Sequence, residues 1–147
     1  TRRTLEVWVD DLLGPAPGDR LLDLMMHRGK KLYILESLMP EAHDSVIIDY
    51  PLEKLEWVEN NERSVWYHFT TQDMLYETSL NKIQKYIGPS PSSPGMPRES
   101  PGNTASWLAW QIIRSYMKEH PQVTLKELIA IEDAQKIMDD SGYRAPR

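Results

Sequence analysis

With 147 residues, 40% of them hydrophobic and 27% charged, the chain has the size and balance of one globular domain with a real core. A net charge of −5, with no basic run longer than Arg2-Arg3 or Lys30-Lys31, excludes a grip on a phosphate backbone, so no nucleic acid is expected as a partner. The lack of cysteine excludes disulfides, thiolate nucleophiles and cysteine zinc ligands, and no run of about 18 apolar residues is available to cross a membrane.

Thr1 is not Met and opens no signal peptide, so the chain reads as one trimmed of its natural start. Leu5, Trp8, Val9, Leu12 and Leu13 recur at helical spacing and stop at Gly14, which predicts a short amphipathic helix ended by Pro15-Ala16-Pro17-Gly18. Asp19 is placed to cap a long second helix carrying Leu21, Leu22, Met25, Leu32, Tyr33 and Glu36. Gly29 marks a weak or closely packed point in it, and Pro40 ends it. Residues 41–50 read as a loop, because Val46-Ile47-Ile48 has no neighbouring strand to pair with. Asp49 and Pro51 then open a third helix with Leu52, Leu55, Val58, Val65, Trp66 and Phe69 on its apolar face, and Glu62 falls on that same face. From Thr70 or Thr71, the positions Met74, Leu75, Tyr76, Leu80, Ile83, Tyr86 and Ile87 continue in helical register, as one bent helix or two short ones.

Residues 88–102 hold five Pro, three Gly and four Ser, a composition that excludes regular structure. The stretch C-terminal to residue 102 is too short for a separate core, so the segment is expected to be a long surface loop rather than an interdomain linker. Ser100 to Met117 then reads as one helix capped by Ser100, with Pro101 in its first turn. Ala105, Leu108, Ala109, Ile112 and Tyr116 form one stripe, and Trp107, Trp110, Arg114 and Met117 another. A helix apolar on almost every side belongs at the centre of a fold. Thr124-Leu125-Lys126-Glu127 has capping-box spacing, and Glu132-Asp133 favours a further start before Gly142. The predicted fold is all-α, a single compact domain of about six helices over residues 1–147.

His27, His43, His68 and His120 are well separated and lack an H-E-x-x-H pattern, so neither a metal site nor a cofactor is expected within the chain. With no G-x-S-x-G, phosphate-cradling loop or dinucleotide fingerprint, no catalytic residue is assigned. Arg114 lies among tryptophans and Glu62 on an apolar face, positions where an unpaired charge is costly. The two are expected to meet as a pair in the core, either bridging helices or binding a ligand. Tyr33, Trp57, Trp66, Trp107, Trp110 and Tyr116 suit core packing or the lining of a ligand pocket. Trp8 belongs to an opening helix whose apolar face needs a cover, supplied by its own core or by a second protein surface.

Several of these segments form a familiar set: Leu21 to Tyr33 with the closing Pro40, Leu55 to Glu62 with Trp66, Ser100-Pro101-Gly102, Trp107 to Met117, and Ser141-Gly142-Tyr143. Together they resemble the GldB family of gliding-motility-associated lipoproteins, over nearly the whole chain and over the C-terminal half of such a protein. The resemblance implies a periplasm-facing cell-envelope lipoprotein of Bacteroidetes-type bacteria, attached to the membrane through a lipid anchor outside this chain. It implies a noncatalytic structural or interaction role, with other envelope proteins or its own upstream half as partners. The family is also distantly similar to predicted zinc proteases, which implies an alternative: a hydrolase whose metal motif lies upstream. Against that, Arg28 occupies the place of the protease ligand Glu before Gly29, and a cation there disfavours Zn²⁺. Ala109 stands where the resemblance leads one to expect Gly, implying a slightly looser helix contact.

Overall fold

Two helices that are buried over most of their surface organise the structure. The computed structural model describes residues 1–146 and contains nine α-helices and no strand among them. They are α1 (Arg2–Leu13), α2 (Leu21–Leu38), α3 (Asp44–Ile48), α4 (Leu52–Asn60), α5 (Glu62–Thr70), α6 (Leu80–Ile83), α7 (Thr104–Glu119), α8 (Leu125–Ala130) and α9 (Ala134–Asp140). Short 3₁₀ turns occupy Met74–Tyr76 and Gln84–Tyr86.

The all-α class is as the periodicity predicted, but the number of helices exceeds six for local reasons. Val46-Ile47-Ile48 is helical instead of loop: the ring nitrogen of His43 accepts the Ser45 amide at 3.1 Å and starts the turn. The helix predicted across 51–69 breaks at Asn61, whose side chain donates to the Trp57 carbonyl at 2.7 Å. Asn competes with the helix for backbone partners in this way. Caps also differ. Arg20 rather than Asp19 is the N-cap of α2, with Asp23 accepting its amide at 3.2 Å and its guanidinium at 2.8 and 2.9 Å. The predicted Thr124–Glu127 capping box opens α8, both reciprocal bonds measuring 3.1 Å.

The segment from Ser100 is not helical at its start. The helix α7 begins at Thr104, after Asn103 in a left-handed conformation, and Ser100 serves the preceding loop instead by accepting the Ser93 amide at 3.1 Å. That loop, 88–102, is tied down along its length. Ser93 Oγ donates to the Pro101 carbonyl at 2.7 Å, Tyr50 donates to the Gly102 carbonyl at 2.7 Å, and Tyr86 donates to the Pro94 carbonyl at 2.5 Å. Gly102 is pressed against Ser90, where a Cβ would lie 2.6 Å from backbone atoms.

The helix α2 packs against α1, α3, α7, α8 and α9, with α7 as its main neighbour. Leu21, Leu22, Met25, Met26 and Leu35 of α2 and Leu108, Ala109, Trp110, Ile112 and Ile113 of α7 are fully buried. The two helices touch at Gly29, where a Cβ would sit 2.8 Å from the Ala109 carbonyl carbon. The methyl of Ala109 is thus received by a glycine on the facing helix, and the contact is close, not loosened. Even the lysines of α2 turn inward: Lys31 Nζ bonds Glu6 at 2.9 Å and Asp10 at 3.0 Å, pinning α1, while Lys30 Nζ donates to the Ile131 carbonyl.

Gly29→Ala tests this crossing. Overpacking against backbone costs about 1–3 kcal/mol and better helix propensity returns up to about 1 kcal/mol, so a net loss of about 1–2 kcal/mol is expected. It should appear as a lower urea midpoint with an unchanged slope; an unaltered midpoint would show that the helices part easily.

Candidate functional site

Arg114 projects from the third turn of α7 toward the C-terminal end of α2. Its Nε and Nη2 donate to the two carboxylate oxygens of Glu36 at 2.9 and 2.8 Å, and Nη2 and Nη1 to those of Asp44 at 2.9 and 3.2 Å. Nη1 also reaches Gln111 Oε1 at 3.1 Å. The guanidinium carbon lies 3.9 Å from the Trp110 ring centroid, and the Trp110 indole donates to Glu36 Oε1 at 3.0 Å. All five guanidinium donors are therefore engaged in a planar, doubly bidentate arrangement stacked on an indole. Burial alone would lower the pKa of Arg114, but the bonds from Glu36 and Asp44 outweigh it and hold the group above its ordinary value.

The predicted Arg114–Glu62 pair is not formed. Glu62 opens α5, and its Oε2 accepts the Tyr143 hydroxyl at 2.6 Å; Tyr143 also lies against Trp66, ring centroids 5.2 Å apart. Glu62 thus fastens the C-terminal segment rather than meeting α7. Burial pushes its carboxyl above the usual range, with Glu59 adding to the shift and the Tyr143 bond opposing it. The partners of Arg114 are instead Glu36, which shares the helical stripe of Leu32 and Tyr33 on α2, and Asp44, the first residue of α3. Because the helix breaks at Asn61, Glu62 begins a separate helix, α5, instead of continuing α4.

The six aromatics do not converge on one pocket. Trp107, Trp110 and Tyr116 are core residues, the last stacked on His120 at 4.3 Å. Tyr33, Trp57 and Trp66 are partly buried around that core, and Trp66 alone borders a shallow cleft of about 250 Å³ with Arg63, Tyr67 and Ala145. A groove of about 800 Å³ lies elsewhere, between the start of α1, the α3–α4 corner and loop 88–102, and none of these aromatics lines it. Among the described residues no group of three or more His, Cys, Asp or Glu is placed to hold a metal ion.

The opening helix divides its apolar residues differently from the single face predicted. Val9 is fully buried, with Leu5 and Leu13 partly so, whereas Trp8 is 54% exposed and Leu12 47% exposed. Trp8 and Leu12, one turn apart, form an outward pair on one flank, while Val7, 59% exposed, lies on the other flank beside the groove. The helix carrying them is not loose, because Lys31 holds Glu6 and Asp10 from the side.

Comparison with known families decides the wider setting: the profile of the family described as gliding motility protein GldB matches residues 1–145. The chain belongs to the GldB family. No curated protein and no solved structure matches it. The GldB pattern thus spans both helices of the central crossing, the Arg114 knot, the Glu62–Tyr143 clasp and the Trp8 flank.

Two measurements test the site. Arg114→Ala should cost roughly 2–3 kcal/mol, between an exposed ion pair and a fully buried one. A double-mutant cycle should couple Arg114 to Glu36, and the Arg114–Glu62 cycle should be additive. For Glu62 the sign follows from its raised folded pKa: folding favours the protonated form, so its contribution is complete below the unfolded value and is lost as pH rises through the folded one. The uncharged Glu62→Gln variant should therefore gain stability relative to the parent as pH is raised from about 4 to about 7. A stability difference that does not change with pH would contradict the assignment.

Proposed function

We propose that this chain is a noncatalytic docking component of a bacterial gliding-motility or cell-envelope apparatus, with the Trp8–Leu12 flank of α1 as its contact surface. The observation carrying the reading is a large indole and a leucine held outward on a helix that is itself fixed to the core. Large exposed aromatics on rigid elements are the anchors from which protein interfaces are built. Membership of the GldB family supplies the setting. The groups best suited to chemistry support a structural role, since Arg114, Glu36 and Asp44 are consumed by one another and Glu62 by Tyr143. No described helix is long and apolar enough to cross a membrane, which accords with attachment through a lipid anchor outside these residues. The partner on the Trp8 flank is another envelope protein or a part of the same polypeptide upstream of Thr1.

A photo-crosslinking amino acid at position 8, introduced in the host, should give a discrete adduct with an envelope protein, and the same group at exposed Glu53 on α4 should not. Trp8→Asp should leave thermal stability within about 0.5 kcal/mol of the parent, as at other exposed sites, while abolishing the function of the protein in cells. A fully functional Trp8→Asp strain would remove the surface from consideration.

A further inference from the structure

The 800 Å³ groove carries a charge opposite to that of the chain. Arg2, Arg3, Arg28 and Lys54 line it against only Glu6 and Asp49, in a protein of net charge −5. Two of these cations are held in place by backbone oxygens: Arg2 Nε donates to the Ile47 carbonyl at 3.0 Å, and Lys54 Nζ to the carbonyls of Arg98 and Ser100 at 3.1 and 3.0 Å. Arg2 is paired with Glu6, but Arg3, Arg28 and Lys54 pair with no carboxylate among the described residues. The N-caps of two helices, Pro51 of α4 and Asn103 of α7, also border the groove and offer no side-chain cap to their first amides. Helix starts carry partial positive charge, so both reinforce the cations.

The remaining wall is apolar and firm. Val7, Ile48, Tyr50 and Ile87 supply side chains, and Pro51, Pro89, Pro91 and Pro101 supply a surface without backbone N–H donors. An extended peptide would find few main-chain partners there, whereas a compact apolar body would find contact area. The hydroxyl of Tyr50 on the Gly102 carbonyl and the approach of Gly102 to Ser90 keep that wall in position. We propose that the groove between α1, α4 and loop 88–102 binds a small amphiphile, an acidic carboxylate or phosphate head on an apolar body, with the head at Arg3, Arg28 and Lys54.

The test titrates the chain with laurate, dodecyl phosphate, dodecanol, inorganic phosphate and a decaglutamate peptide, following backbone amide shifts. Laurate or dodecyl phosphate should shift Gly88, Ser90 and Gly102, and the preferred head distinguishes a fatty acid from a phosphate ester. Dodecanol and inorganic phosphate should each bind at least tenfold more weakly, and so should the better amphiphile with the Arg3→Glu/Arg28→Glu variant. Both residues are exposed, so that variant should keep the parent's melting temperature. The proposal is overturned by equal binding of dodecanol, by unchanged affinity in the variant, by no binding of either acidic amphiphile below millimolar concentration, or by tighter binding of decaglutamate in the groove.

Discussion

The crossing of α2 over α7 at Gly29 and Ala109 is the constraint on which the other features depend. It brings two backbones together closely enough that no side chain fits on the α2 side. Close-packed interiors transmit such positioning along rigid helices. Two turns beyond Gly29 on α2 lies Glu36, and five residues beyond Ala109 on α7 lies Arg114, so the crossing sets the register in which these two meet. Trp110, next to Ala109, is carried to Glu36 by the same register and becomes the plate on which the guanidinium stacks. The polar knot is thus a product of apolar packing.

On the other side of α2, the neighbours Lys30 and Lys31 diverge around the helix. One reaches the carbonyl of Ile131 beyond α8, and the other reaches two carboxylates of α1. Lys30 is buried, and that burial lowers its pKa. The long aliphatic stems pack within the core while the ammonium groups act as tethers at its edge. Together with the buried Val9 and the bond from Arg2 to the Ile47 carbonyl, this tether sets the direction in which the two flanks of α1 face.

Much of this was legible in sequence. Periodicity disclosed the two central helices, the split of the C-terminal helices at Asp133 and the irregular 88–102 segment, because each rests on a local rule of spacing, capping or Pro and Gly content. The Arg114 partner was missed for a physical reason: two charges on apolar stripes suggest a pair, but stripes carry no information about which helices touch. Asn60-Asn61 was a readable break, and recognising it would have placed Glu62 at the start of a new helix. The groove was not legible at all, since it assembles Arg3, Arg28, Lys54 and two helix starts from four distant stretches of chain.

The order of the elements along the chain also bears on how the protein reaches its folded state. The helix α2 is made before α7, with everything from α3 through the proline-rich segment between them. Until residues near Ala109 have left the ribosome, the apolar surface of α2 has no partner of comparable extent. Contacts of such wide sequence separation slow folding and prolong the exposure of sticky intermediates. The apolar surface of α2 is therefore exposed until α7 is available to cover it.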